Sequence, residues 1–186
     1  MKTFSLIIWM ILYKLAWLGC VLGGGVYGYP LLGALPMLFW VFFWLISIHS
    51  KQSNVLKTTI IAGCYGLAVD SLMIWSEVML FSEAAQFGPA SPIWMIALWL
   101  GFGSITQISL GKLYGRWFIA ACIGAIGGPM AYLGGVNMQA VSFAQSKELF
   151  VTCVAIEWAV AVPLLIWLAG PQKAVKKSLP NNQPTS

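Results

Sequence analysis

The residues LFVTCVAIEWAVAVPLLIWLA (149–169) decide the fold, because 21 consecutive positions carry a single charge, Glu157. About 20 apolar residues are what a helix needs to cross a hydrocarbon core of about 30 Å. Five earlier stretches read the same way: Phe4–Gly24, Pro30–Ile48, Val55–Phe81, Pro92–Leu110 and Arg116–Val136. The segments between them, residues 25–30, 49–54, 88–91 and 111–115, carry glycine, proline, serine or asparagine, the residues of turns. Ser91-Pro92 predicts a helix start, with a side-chain cap followed by a residue that needs no amide partner.

Composition agrees with this reading. The chain of 186 residues is 60% hydrophobic and 8% charged, whereas about a quarter of a soluble domain is charged. The expected fold is an all-α membrane protein, a six-transmembrane-helix bundle formed by residues 1–170. Residues 171–186 read as a polar, disordered cytoplasmic tail. Lys2, Lys51, Lys57, Lys112, Arg116, Lys173, Lys176 and Lys177 fall on the amino-terminal side of the bundle, and only Lys147 falls opposite. Positive charge collects on the cytoplasmic side, so the N-terminus and the C-terminus are both expected in the cytoplasm. The net charge of +5 is scattered between apolar blocks, and no nucleic-acid partner is expected. The N-terminal run is interrupted by Lys14 and has no small-residue cleavage site, so it reads as a retained helix.

Three residues stand out because the bilayer opposes them. Lys14, Asp70 and Glu157 lie inside apolar segments, where each costs about 2.5–3.5 kcal/mol on insertion scales. At about 1.5 Å per residue from the cytoplasmic ends, they fall at depths of about 15, 20 and 18 Å. A lysine and two carboxylates in one layer suggest a shared polar centre, with Lys14 paired to one acid. The other acid would lack a counter-charge, and such a group readily holds a proton, the ingredient of a proton-coupled site. The alternative is a structural ion pair and a carboxylic acid hydrogen-bonded to a neighbouring helix.

The fifth segment supplies a second candidate feature. Ala120, Gly124 and Gly128 repeat every four residues, laying small groups along one face for close helix approach. Gly127-Gly128-Pro129 predicts a break or kink that frees backbone carbonyls, with Tyr132 one turn on. Freed carbonyls in a membrane must face protein or a water-filled cavity, so this break would line a site. Gln107, with Thr106 and Ser109, gives the fourth segment a polar cytoplasmic end. The candidate binding residues are therefore Lys14, Asp70, Glu157, Gln107, Gly127, Gly128, Pro129 and Tyr132.

Catalytic and metal chemistry find little to work with. His49 is the sole histidine, which removes multi-histidine metal sites. Gly101-Phe-Gly-Ser104 resembles a nucleophile turn only loosely, with the serine misplaced. Cys20, Cys64, Cys122 and Cys153 form no CxxC pair and read as small apolar packing residues. No cofactor and no catalytic residue is expected.

Two motifs carry a resemblance. Ser91-Pro-Ile-Trp-Met-Ile-Ala-Leu-Trp99 and Gly124-Ala-Ile-Gly-Gly-Pro-Met-Ala-Tyr132, with Asp70-Ser71 and the stretch from Trp17 to Gly23, resemble domain-of-unknown-function family 2878. The likeness covers nearly the whole chain. It implies a protein of the bacterial inner membrane and an association with lipid-modifying enzymes of the envelope, to which no site residues attach. The expected function is binding or transport of a small or lipidic molecule through a mid-membrane polar centre. The alternative is a non-catalytic membrane partner or scaffold for lipid-modifying enzymes, and the partners are then the lipid bilayer, a ligand and another membrane protein.

Overall fold

The computed structural model describes residues 3–47, 54–86 and 88–171. Lys2, His49, Lys51, Lys173, Lys176, Lys177 and the tail from residue 172 onward lie outside the described residues. The α-helices are α1 Thr3–Cys20, α2 Pro30–Ser47, α3 Val55–Trp75, α4 Ile93–Leu110, α5 Trp117–Asn137 and α6 Lys147–Ala169. Helix α1 runs on into a π-helical turn, Val21–Val26, so its apolar span reaches from Ile7 to Val26. That span and helices α3 to α6 are long and apolar enough to cross a membrane, and α2 is a shorter apolar helix over Pro30–Ile46.

The outer surface is unlike that of a water-soluble protein, although the core is apolar. Phe39, Phe42, Phe43, Phe118 and Ile126 are exposed, while Thr58, Thr59, Asp70, Ser104, Thr106 and Glu157 are buried. Such an arrangement is stable only where the surroundings are hydrocarbon, since leucine and phenylalanine have nothing to gain there by turning inward. The chain is a multi-pass membrane protein.

Helix α4 sits in the middle, packed against α2, α3 and α6. Helix α1 lies along α2, and α5 lies along α6. The α5–α6 seam is close because of small residues. A methyl group on Gly124 would come within 2.1 Å of the Trp158 carbonyl oxygen, and one on Gly128 within 2.2 Å of the Trp158 ring. Ala120, Gly124, Gly128 and Tyr132 are all buried, so the four-residue repeat does mark the packed face.

Three local expectations need correction. The third segment does not continue to Phe81: α3 stops at Trp75, and Met79–Leu80 (β1) pairs antiparallel with Ser142–Phe143 (β2). The cause is a left-handed residue, Glu77 at φ 54°, which lets the Glu77 amide donate to Ile74 O (3.0 Å) and the Val78 amide to Met73 O (2.9 Å). This is a Schellman ending on a residue other than glycine. Helix α5 ends identically, with Gln139 at φ 64° and the Gln139 and Ala140 amides donating to Val136 O and Gly135 O, both at 2.9 Å. The two endings bring the strands side by side. Second, Gly127-Gly128-Pro129 does not break α5, which is helical from Trp117 to Asn137 with Pro129 inside. Proline in a membrane helix is tolerated when neighbouring protein supports the freed group, and Pro129 is buried. Third, Ser91 does not cap α4, whose N-cap is Pro92 without a side-chain bond.

Among the cysteines only Cys20 is buried, whereas Cys64 and Cys122 are exposed, so packing does not explain those two.

Candidate functional site

Asp70 lies five residues before the end of α3 (75 − 70) and is completely buried. It receives three donors. Tyr132 Oη on α5 donates to Oδ1 at 2.7 Å, Trp99 Nε1 on α4 donates to Oδ2 at 2.9 Å, and Ser91 Oγ reaches Oδ2 at 3.4 Å. Ser71, the next residue on α3, helps place Ser91 by accepting from its amide at 2.9 Å. Sites on α3, α4 and α5 and the segment before α4 thus converge on one carboxylate. Hydrogen bonds to an ionised acceptor are roughly twice as strong as neutral ones, and this set suits a carboxylate.

Glu157 on α6 is 4% exposed, and the residue after it, Trp158, stacks on Trp99, the donor to Asp70. Its surroundings differ in kind. Neither Oε1 nor Oε2 has a hydrogen-bond partner. The nearby Tyr65 hydroxyl donates to the Glu157 backbone carbonyl at 3.0 Å, leaving the side chain unmet. Trp158, the next residue, stacks on Trp99 with ring centroids 4.7 Å apart, and Tyr132 meets it edge-on at 6.4 Å. Three aromatic rings therefore wall the carboxylates on one side.

The outer faces of those rings line an open groove of about 580 Å³. It is the space left between α1 and α5, and α4 forms much of its floor. The walls are Trp17 on α1, Leu98 and Phe102 on α4, and Gly127 and Ala131 on α5. Gly127 and Gly134 have no atom within 4 Å of where a side chain would begin, so their missing side chains are part of the volume. Lys14 is the one charged residue in the described lining.

The sequence-predicted residues divide accordingly. Asp70, Glu157 and Tyr132 come together, and Gly127 and Gly128 both line the groove, Gly128 also closing the seam against Trp158. Lys14 does not join them. Tyr13, Ala16 and Cys20 occupy the buried face of α1, and Lys14 sits about 100° round from Tyr13, exposed on the groove side. It forms no ion pair with either carboxylate, so the expected pairing is not made. Gln107 is elsewhere too: its Nε2 donates to Ala169 O at 2.9 Å and tethers the end of α6. Pro129 is buried inside an unbroken α5. Ser104, in the loose nucleophile-like motif, donates to Gly101 O at 2.7 Å and is buried.

Sequence reasoning missed Trp99, Ser91, Trp158 and Tyr65. Trp99 stands out in the sequence only as the end of the family-like motif 91–99, and Ser91 only as its start and as a helix cap, with nothing to say that their polar groups converge on Asp70. No curated protein and no solved structure matches this chain. The family described as "Protein of unknown function (DUF2878)" matches residues 6–164, which is most of the chain and contains every residue of the groove and of the carboxylate centre named above. The chain belongs to that family.

Proposed function

We propose that this protein binds a lipidic molecule with an acidic head in the lateral groove between α1 and α5. The observation that carries the reading is the groove itself, about 580 Å³ in volume, within the roughly 300–1,000 Å³ typical of ligand sites. Its mouth lies on a surface of exposed leucine, isoleucine and phenylalanine, so hydrocarbon chains are the material at hand to fill it. Lys14 supports an acidic head, because a cation at this depth is costly until an anion meets it. The carboxylate centre backs the groove and anchors its aromatic wall through Tyr132 and Trp99.

The reading places the protein in the bacterial inner membrane with α2 as a sixth crossing, since 18 residues span about 27 Å. Lys57, Lys112 and Arg116 share one end of the bundle and Lys147 lies at the other, which supports cytoplasmic termini.

Native mass spectrometry of the detergent-purified protein tests the reading. The wild type should carry co-purified lipid. Gly127→Leu, which extends a side chain into empty space, should carry about tenfold less, the equivalent of about 1.4 kcal/mol. Lys14→Gln should keep lipid but lose the preference for acidic heads. Equal loads of the same lipids on all three proteins would defeat the proposal.

A further inference from the structure

The two buried carboxylates are served unequally, and the inequality assigns them different charges. Asp70 collects donors from Tyr132, Trp99 and Ser91. Every one is an O–H or N–H pointed at an acceptor, and none of these bonds calls on Asp70 to donate. Glu157, 4% exposed, has two oxygens that no protein donor reaches. An ionised carboxylate left in this condition inside hydrocarbon is among the most expensive arrangements a protein can hold, and such a group neutralises instead.

The neighbours offer no other neutralisation. Facing Glu157 and Asp70 are Tyr65 and Asp70 itself from α3, Tyr132 from α5, and the indoles of Trp99 and Trp158 from α4 and α6. None is a cation at neutral pH. Lys14 is exposed on the groove side, and among the described residues no lysine or arginine makes an ion pair with either acid. Among the described residues no group of three acidic, histidine or cysteine side chains comes together, so the usual ligand set of a zinc or other transition-metal ion is not met there.

We propose that Glu157 is a single-proton store: a neutral carboxylic acid held beside an ionised Asp70, its proton the one exchangeable positive charge of the centre. Binding forms one O–H bond on a Glu157 oxygen, and release returns the proton to water and leaves two carboxylates facing each other. Trp158 and Tyr132 stand between this store and the groove, but the store does not require any particular groove occupant.

Infrared difference spectroscopy of the full chain in lipid nanodiscs reads the proton directly. Near neutral pH the wild type should show a protonated-carboxyl C=O band that shifts down in heavy water. Glu157→Gln should lose that band, fold normally, and still co-purify lipid, because the amide imitates the neutral acid. Asp70→Asn should retain the band if it accumulates, though with lower yield, because its new N–H groups would face the donors of Trp99 and Tyr132. Absence of the band in the wild type would overturn the proposal, as would its persistence in Glu157→Gln. A band abolished by sodium at constant pH would overturn it too, making the occupant a sodium ion. Lipid content measured on the same samples reports separately on the groove.

Discussion

The two sides of α5 are made from the same residue type and do opposite things. On the α6 side Gly124 and Gly128 are absent side chains that let two backbones touch, and any added atom meets Trp158. On the α1 side Gly127 and Gly134 are absent side chains that leave a void, with nothing within 4 Å. Glycine in a membrane helix is usually read as a packing residue. Of the five glycines of α5, Gly124, Gly128 and Gly135 meet packed neighbours, and Gly127 and Gly134 leave open space. One helix thus serves as a seam and as a wall, and position on the helix alone decides which role a glycine has.

The largest expected effect falls on the seam. Gly124→Ala should destabilise the protein by about 3 kcal/mol, the upper end of overpacking costs, because the methyl group meets backbone that cannot rotate away. Thermal unfolding in detergent checks it, and an unchanged midpoint would show that α5 is not seated on α6 as described. Next comes the bond tying α5 to α3. Tyr132→Phe removes the 2.7 Å donor to Asp70 and should cost about 2 kcal/mol, the range for hydrogen bonds to charged groups. Trp99→Phe should cost a similar amount, and the double variant should cost less than the sum if one carboxylate is the shared partner.

Smaller and of opposite sign is Gly127→Ala on the wall. It adds a residue with better helix propensity and no clash, so it should stabilise by about 0.5–1 kcal/mol in the same assay. Should Gly124→Ala and Gly127→Ala shift the midpoint alike, the contrast between seam and wall is lost. Last comes Lys14→Leu. It breaks no ion pair and removes a cation from apolar surroundings, so it should not lower the unfolding midpoint, while changing which lipids co-purify.

How much of this was legible beforehand follows from what each feature depends on. Helix positions come from hydropathy, a local property, and α2, α4, α5 and α6 begin and end within a few residues of expectation. The end of α3 escaped because Glu77 takes the left-handed conformation that glycine usually signals, so residues 76–81 read as more helix. The carboxylates were legible as charges out of place. Their inequality was not, because it depends on Tyr132, Trp99 and Ser91 arriving from distant parts of the chain. Lys14 was assigned to the same centre from depth alone. Depth fixes height in the bilayer but not rotation about the helix axis, and one residue of rotation moves Lys14 from the core face, occupied by Tyr13, to the groove.

The claim on which the function rests is that the groove, unlike the rest of the lipid-facing surface, holds a particular lipid. A photoactivatable lipid with its reactive group in the acyl chain distinguishes the two surfaces, with Phe39, Phe42 and Phe43 on the outer side of α2 as the ordinary lipid-facing reference. Mass-spectrometric mapping of adducts should find them concentrated on Leu98, Phe102 and residues 127–131, and depleted there in Gly127→Leu while the α2 signal stays constant. Adducts spread evenly over α2 and the groove, and unchanged by Gly127→Leu, would contradict the account.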